Sequence, residues 1–244
     1  MPKLSTLFLN ECCRTTSLWC TYRLSVFSSI AAHLMIFPVL MFLFQHLAAR
    51  YGSSFGPNRQ LDSLLGFLTW YLCMKVMVTI PRMIEEEATV GTLENVILAP
   101  VSLFTTVVLR SVVHCLRYGL ETLLLGVMLS LILGLFVPLS VRAAVIILLT
   151  LTGTCGMGLA LAGLALVYKT VGSIVGVIGN LALLFSGALV PLDGLGGFFE
   201  FLKYGFPMTW GIMILRRSAV SGTLFTRDVL WLALQKVAMP VMGG

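Results

Sequence analysis

The chain has 244 residues, of which 58% are hydrophobic and 11% charged, and its mean hydropathy is +1.00. A water-soluble domain is about 45–50% apolar and about 25% charged because its surface must be solvated, so these figures exclude an ordinary cytosolic enzyme, a secreted disulfide scaffold and a disordered chain, and leave an integral membrane protein with several spans. The net charge of +6 adds no nucleic-acid partner: the sixteen Lys and Arg are scattered between apolar runs without a basic, aromatic-interleaved cluster, a pattern of interfacial anchoring and contact with lipid headgroups.

Residues 1–24 lack the charged head, apolar stretch and small-residue cleavage site of a signal peptide. Leu4, Phe8, Cys12, Trp19 and Tyr22 recur near helical spacing, with Lys3, Glu11 and Arg14 at polar positions. This predicts an amphipathic helix lying on the membrane. A spanning helix needs about 20 mostly apolar residues, and five stretches reach that length: roughly 25–47, 63–84, 112–137, 142–167 and 171–191. A sixth, near 224–243, is marginal, because its apolar part after Arg227 and Asp228 is about 16 residues, or about 24 Å of helix, and carries Lys236 and Pro240. Residues 48–62 form a Gly/Pro/Ser turn and the 138–141 connection is very short. Counting Lys and Arg does not orient the chain, for Lys3, Arg14, Arg23, Arg82, Arg110 and Lys169 on one side balance Arg50, Arg59, Arg142, Lys203, Arg216, Arg217 and Arg227 on the other. No C-x-x-C exists among the six cysteines, which predicts free thiols and no structural metal.

Charges within spans are expensive, about 2.5–3.5 kcal/mol each at a helix centre, and face protein or water. Lys75 lies in the second span. The segment after it, residues 85–102, reads EEEATVGTLENVILAPVS. Gly91 is suited to end the arriving helix with φ > 0, Thr92 to cap a short new one, Glu94 to sit in its first turn, and Pro100 to limit it; Leu93, Val96 and Ile97 then share one side. In the third helix, Arg110, His114, Arg117 and Glu121 fall on one face of a 3.6-residue repeat. Lys75, Arg117 and Glu121 are expected to form a buried charge network at the inner end of a pathway; the plainer alternative has Arg110 and Arg117 snorkelling to the interface and His114 bonded to a neighbour.

Gly153, Gly156, Gly158 and Gly163 in the fourth span, and Gly172, Gly176 and Gly179 in the fifth, predict close helix approach. They imply no phosphate cradle, which needs a loop at a helix N-terminus. Asn180 either lines a pathway or bonds to another helix. Between Leu192 and Gly222 the chain is too interrupted for a clean span. Phe198, Phe199, Phe201, Leu202, Tyr204 and Phe206 crowd one short piece, and Pro207 and Trp210 open another. This predicts two short helices at an interface, re-entrant where protein buries them, or an aromatic belt.

The acidic stretch, the G-T-L-E turn and the proline after it resemble the joint between the second and third spans of type-2 ATP-binding cassette exporter permeases. Gly187, Pro191, Leu192, the GFFEFLKYGF segment, Pro207, Thr209, Arg216 and Arg217 are similar to that family's external region between the fifth and sixth spans. The resemblance covers about residues 20–230. The chain departs from it in having Gly196 and Gly197 where a second proline is usual, and in its short last span. It implies an all-α integral membrane protein, a single permease domain over 1–244 with about six transmembrane helices, the last short or truncated. It further implies a coupling region at 85–102 in which Glu85, Glu86, Glu87, Gly91, Thr92, Leu93, Glu94 and Pro100 dock on an ATPase, and external short helices at 192–223 in which Pro191, Phe198, Phe199, Pro207 and Trp210 close an outer gate. The N-terminus is then cytoplasmic, in the plasma or inner membrane, and two copies form a homodimer around a pathway whose candidates are Lys75, Arg117, Glu121 and Asn180. No Walker A motif occurs, so ATP and Mg belong to a separate ATPase subunit and this chain binds no cofactor of its own.

An intramembrane enzyme is the second class of function. His33, His46 and His114 form no H-x-x-x-H pair, and the E-E-E run lacks the arginine that a glutamate-type prenyl protease would need. An ion-coupled secondary carrier is the third, but broken helices in corresponding halves are not evident. A drug, a lipid or a lipid-linked glycan suits the apolar pathway.

Overall fold

The computed structural model describes residues 4–50, 57–91, 98, 101–135, 141–168, 171–186, 188 and 207–221. Among the described residues there are seven helices and no strand: α1 (Leu4–Thr21), α2 (Arg23–Arg50), α3 (Pro57–Val90), α4 (Leu103–Leu133), α5 (Val141–Tyr168), α6 (Gly172–Phe185) and α7 (Pro207–Ser221). Four carry stretches long and apolar enough to cross a membrane, Arg23–Leu43, Gln60–Val90, Leu103–Leu133 and Val141–Tyr168.

Helix α3 is the axis of the bundle. Of its most apolar window 72% is buried, against 11%, 33% and 22% for the windows in α2, α4 and α5. Phe67, Tyr71, Met77 and Ile80 are all but fully buried along it, so its apolar positions run around the helix rather than in one stripe, as a helix enclosed by others requires. Pro81 lies inside this helix, where the lost backbone bond is tolerated because neighbouring helices enclose it.

Glycines set the closest approaches to this axis. A Cβ at Gly158 would stand 2.8 Å from Ile80 Cδ1, and one at Gly179 would overlap the Met74 side chain; Trp70 Nε1 donates to the Gly179 carbonyl at 3.0 Å across the same contact. Gly156, Gly163 and Gly176 instead meet no neighbour among the described residues, so within these only part of the expected glycine set packs α5 and α6 onto α3.

The third span differs from expectation in its start. Helix α4 begins at Leu103, nine residues before the expected 112, because Ser102 caps it by accepting from the Thr105 backbone N–H at 3.2 Å. It ends at Gly134, φ 65. The fifth span is shorter than the expected 171–191: α6 has 14 residues, about 21 Å of helix. The sixth span at 224–243 lies outside the described residues.

Helix α1 exists, as its periodicity predicts, and its Glu11 reaches Arg110 of α4 at 3.5 Å.

Candidate functional site

The charged and polar groups gather in three places, at the two ends of the bundle and in a layer between them. At the end where α3 stops, Val90 is its last residue and Gly91 adopts φ 75, the left-handed terminator expected from the sequence. The three glutamates before it are not a free acidic turn, because they sit on the last turns of α3 and each faces a different environment. Glu85 accepts from the backbone N–H groups of Val171 and Gly172, the latter at 2.6 Å, and so places a carboxylate at the N-terminus of α6, where the helix dipole favours it. Gly172 has to be glycine for this approach, since a Cβ there would stand 2.6 Å from Glu85 Oε2. Glu87 pairs with Arg110 of α4. Arg110 also faces Glu11 of α1 at 3.5 Å, and Glu11 lies 3.5 Å from Arg14. Glu86 alone of the three is exposed. One guanidinium therefore ties the end of α3 to α1 and α4, and one carboxylate ties it to α6.

Thr92, Leu93, Glu94 and Pro100, with the short helix expected there, lie outside the described residues.

The middle layer contains Lys75, Arg117 and Glu121. Glu121 is 2% exposed and its carboxylate lies 3.4 Å from Arg117 Nε, one turn back on α4. A buried carboxylate requires such a partner, because its desolvation is not otherwise offset. Lys75 Nζ donates to Ser29 Oγ of α2 at 2.7 Å and stands within electrostatic range of Glu121, Arg117 and Arg82. Tyr118 lies between the cations: its ring centroid is 6.0 Å from Lys75 Nζ and 5.4 Å from the Arg117 guanidinium carbon, a placement that offsets part of the cost of burying them. Its hydroxyl bonds Thr79 at 2.9 Å. His114 stacks on the same tyrosine at 6.0 Å, and the stripe Arg110, His114, Arg117 and Glu121 stays on the partly or fully buried side of α4. Asn180 is exposed on α6 and is not brought into this layer. Ser29, Thr79, Tyr118 and Tyr71, whose ring centroid lies 5.3 Å from Lys75 Nζ, cannot be read from the sequence, for a tyrosine, threonine or serine in an apolar run carries no mark of the charge it will meet.

At the opposite end, α7 starts at Pro207, where the missing N–H costs nothing. Met208, Thr209, Ile212, Ile214 and Leu215 are buried, and Trp210 packs with Leu65 of α3 and Ile146 of α5. Arg216 donates from Nε to the Asp62 carbonyl at 3.1 Å and from its terminal nitrogen to the Ala188 carbonyl at 2.8 Å. Gly66 is glycine because a Cβ would run into that carbonyl and the guanidinium. Pro191, Phe198 and Phe199 lie outside the described residues.

None of the six cysteines is in a disulfide, and Cys115 and Cys155 bring their sulfurs to 3.4 Å between α4 and α5. No group of three His, Cys, Asp or Glu suited to a metal ion occurs among the described residues. A family model described as ABC-2 type transporter matches residues 11–219. No curated protein matches the chain.

Proposed function

The chain belongs to the ABC-2 type transporter family as a multi-pass membrane subunit, and from that premise we propose that it is an exporter permease driven by an ATP-binding cassette ATPase on a separate polypeptide. The observation that carries this reading is the wiring around Gly91. The segment that leads into the G-T-L-E turn is held by Glu87 and Arg110 to α4 and α1, and by Glu85 to the start of α6. A push on residues 92–100 then reaches three helices at once. Glu86, exposed at that end, together with Gly91, Thr92, Leu93, Glu94 and Pro100, forms the docking element for the ATPase. Glu85 and Glu87 transmit its motion instead of touching the partner.

In this reading two copies of the chain enclose the pathway in the cell membrane with their N-termini in the cytoplasm, the layer of Lys75, Arg117 and Glu121 forms its inner gate, and α7 with Pro207 and Trp210 its outer one. Asn180, on the exposed face of α6, contributes to the surface shared by the two copies. ATP and Mg are handled by the partner, and the cargo is a hydrophobic drug, lipid or lipid-linked glycan.

The test is co-purification with the ATPase and ATP-driven export from inverted vesicles. Reversing charge in a Glu86→Lys, Glu94→Lys double variant is expected to abolish both association and export while the chain still inserts and folds. Full association and export in that variant would remove the coupling assignment.

A further inference from the structure

A crevice of about 240 Å³ opens between α1 and α4, lined on one side by Cys12, Thr15, Thr16 and Trp19 and on the other by Val113, Leu116, Arg117 and Leu120. It is smaller than the roughly 300–1,000 Å³ of a pocket that encloses a whole small molecule. It has room for the polar head of an amphiphile. Leu116, Leu120 and Leu124 continue from it along α4 at four-residue steps and are 58%, 56% and 50% exposed, so they form an apolar track on one face of the helix. In a chain that crosses the membrane, hydrocarbon tails cover that track.

Charge selects the head. Of the described carboxylates, Glu11 and Glu87 serve Arg110, Glu85 serves the α6 N-terminus, Glu86 is exposed, and Asp62 lies on the first turns of α3 beside Arg216. Glu121 alone among the described residues faces both Lys75 and Arg117. Two cations therefore share one carboxylate, and Arg82 adds to the same field. Lys75 stands across Tyr118 from Arg117, 6.0 Å from the ring that the guanidinium approaches at 5.4 Å, in surroundings of low dielectric where its charge is weakly screened. Arg117 lines the crevice and touches Glu121.

We propose that the α1–α4 crevice is a binding site for an anionic glycerophospholipid of the surrounding bilayer, with the phosphate on Arg117, the surplus charge of Lys75 selecting a net negative head, and the acyl chains on the Leu116–Leu120–Leu124 track. Trp19 lines the same opening, and its indole N–H has no partner among the described residues, so it suits a phosphate or glycerol oxygen. The site is distinct from the ATPase-docking element and does not depend on the transport reading, since bilayer lipid meets the crevice whether or not the chain exports anything.

The test uses the full chain purified in detergent and offered equimolar phosphatidylglycerol and phosphatidylcholine, which share the phosphate and differ in net charge, with retained lipid measured by native mass spectrometry. The wild-type chain is expected to retain phosphatidylglycerol at least about fivefold over phosphatidylcholine, the scale of one lysine acting near an anionic headgroup. Leu116→Trp fills the crevice from an exposed position and is expected to abolish that preference; Thr16→Trp narrows it from the α1 side and has the same effect. Lys75→Met leaves the crevice open and reduces the preference to below about twofold. Equal retention of the two lipids by the wild-type chain overturns the proposal, and so does an undiminished preference in both tryptophan variants, each checked for native circular dichroism and gel-filtration behaviour.

Discussion

At the Gly91 end of the bundle, side chains on different helices hold one another, Glu87 and Glu11 on Arg110 and Glu85 on the first backbone N–H groups of α6. At the Arg216 end, a guanidinium holds backbone instead, reaching the carbonyls of Asp62 and Ala188 beside the buried α7. The difference bears on motion. A side-chain ion pair between two helices changes partner when one helix shifts, and Arg110 already faces two carboxylates. A guanidinium clamped to carbonyls at a helix start, in a space that excludes even the Cβ of an alanine at position 66, gives way only if the helices separate. The first arrangement suits transmission and the second suits a hinge or a seal.

The largest effect is expected for Arg110→Ala. It leaves Glu11 and Glu87, whose side chains are 13% and 16% exposed, without their shared cation, and about 3 kcal/mol of stability is expected to go, measured as a lowered unfolding midpoint in detergent. A triple variant Arg110→Ala, Glu11→Gln, Glu87→Gln should recover most of that loss, because neutral amides no longer need the cation; no recovery would mean that Arg110 acts by packing. Next in size is Arg216→Met, which keeps the stem and removes both donors. Two part-buried carbonyls lose a charged partner, at a cost of about 2 kcal/mol, and limited proteolysis should cut around α7 before any other element. Cleavage beginning at the Gly91 end in this variant would reverse the assignment of the rigid end. The smallest effect is expected for Gly91→Ala. No described residue crowds the site, so the expected cost is that of the positive φ, about 1 kcal/mol, visible as a lower midpoint without loss of core packing.

How far the site was legible follows from what each residue needed. Gly91 could be read because a left-handed terminator is a local demand of the chain on itself, and the polar stripe from Arg110 to Glu121 because a 3.6-residue repeat makes those positions neighbours whatever surrounds them. The closeness of Glu121 to Arg117 follows directly from that repeat, whereas its burial depends on the helices packed around α4. The roles of Glu85 and Glu87 could not be read. A run of three glutamates looks solvated, and only the arrival of Gly172 and Arg110, from 87 and 23 residues further on, turns two of them inward and leaves Glu86 outside. The glycines divide in the same way: Gly158 and Gly179 resemble Gly156 and Gly176 in sequence, and the passage of α3 decides which of them must lack a side chain.

The helical, membrane-embedded character of the chain, the course of most spans, the stop of α3 and the family resemblance are legible without the fold. These depend on composition, on periodicity and on motifs of a few residues, all of them properties of short stretches. Which helix is central, which carboxylates are consumed inside the protein, and where positive charge is left in surplus emerge only when the helices pack. Those outcomes depend on partners distant in the chain, and the low dielectric between helices makes each such pairing or its absence count.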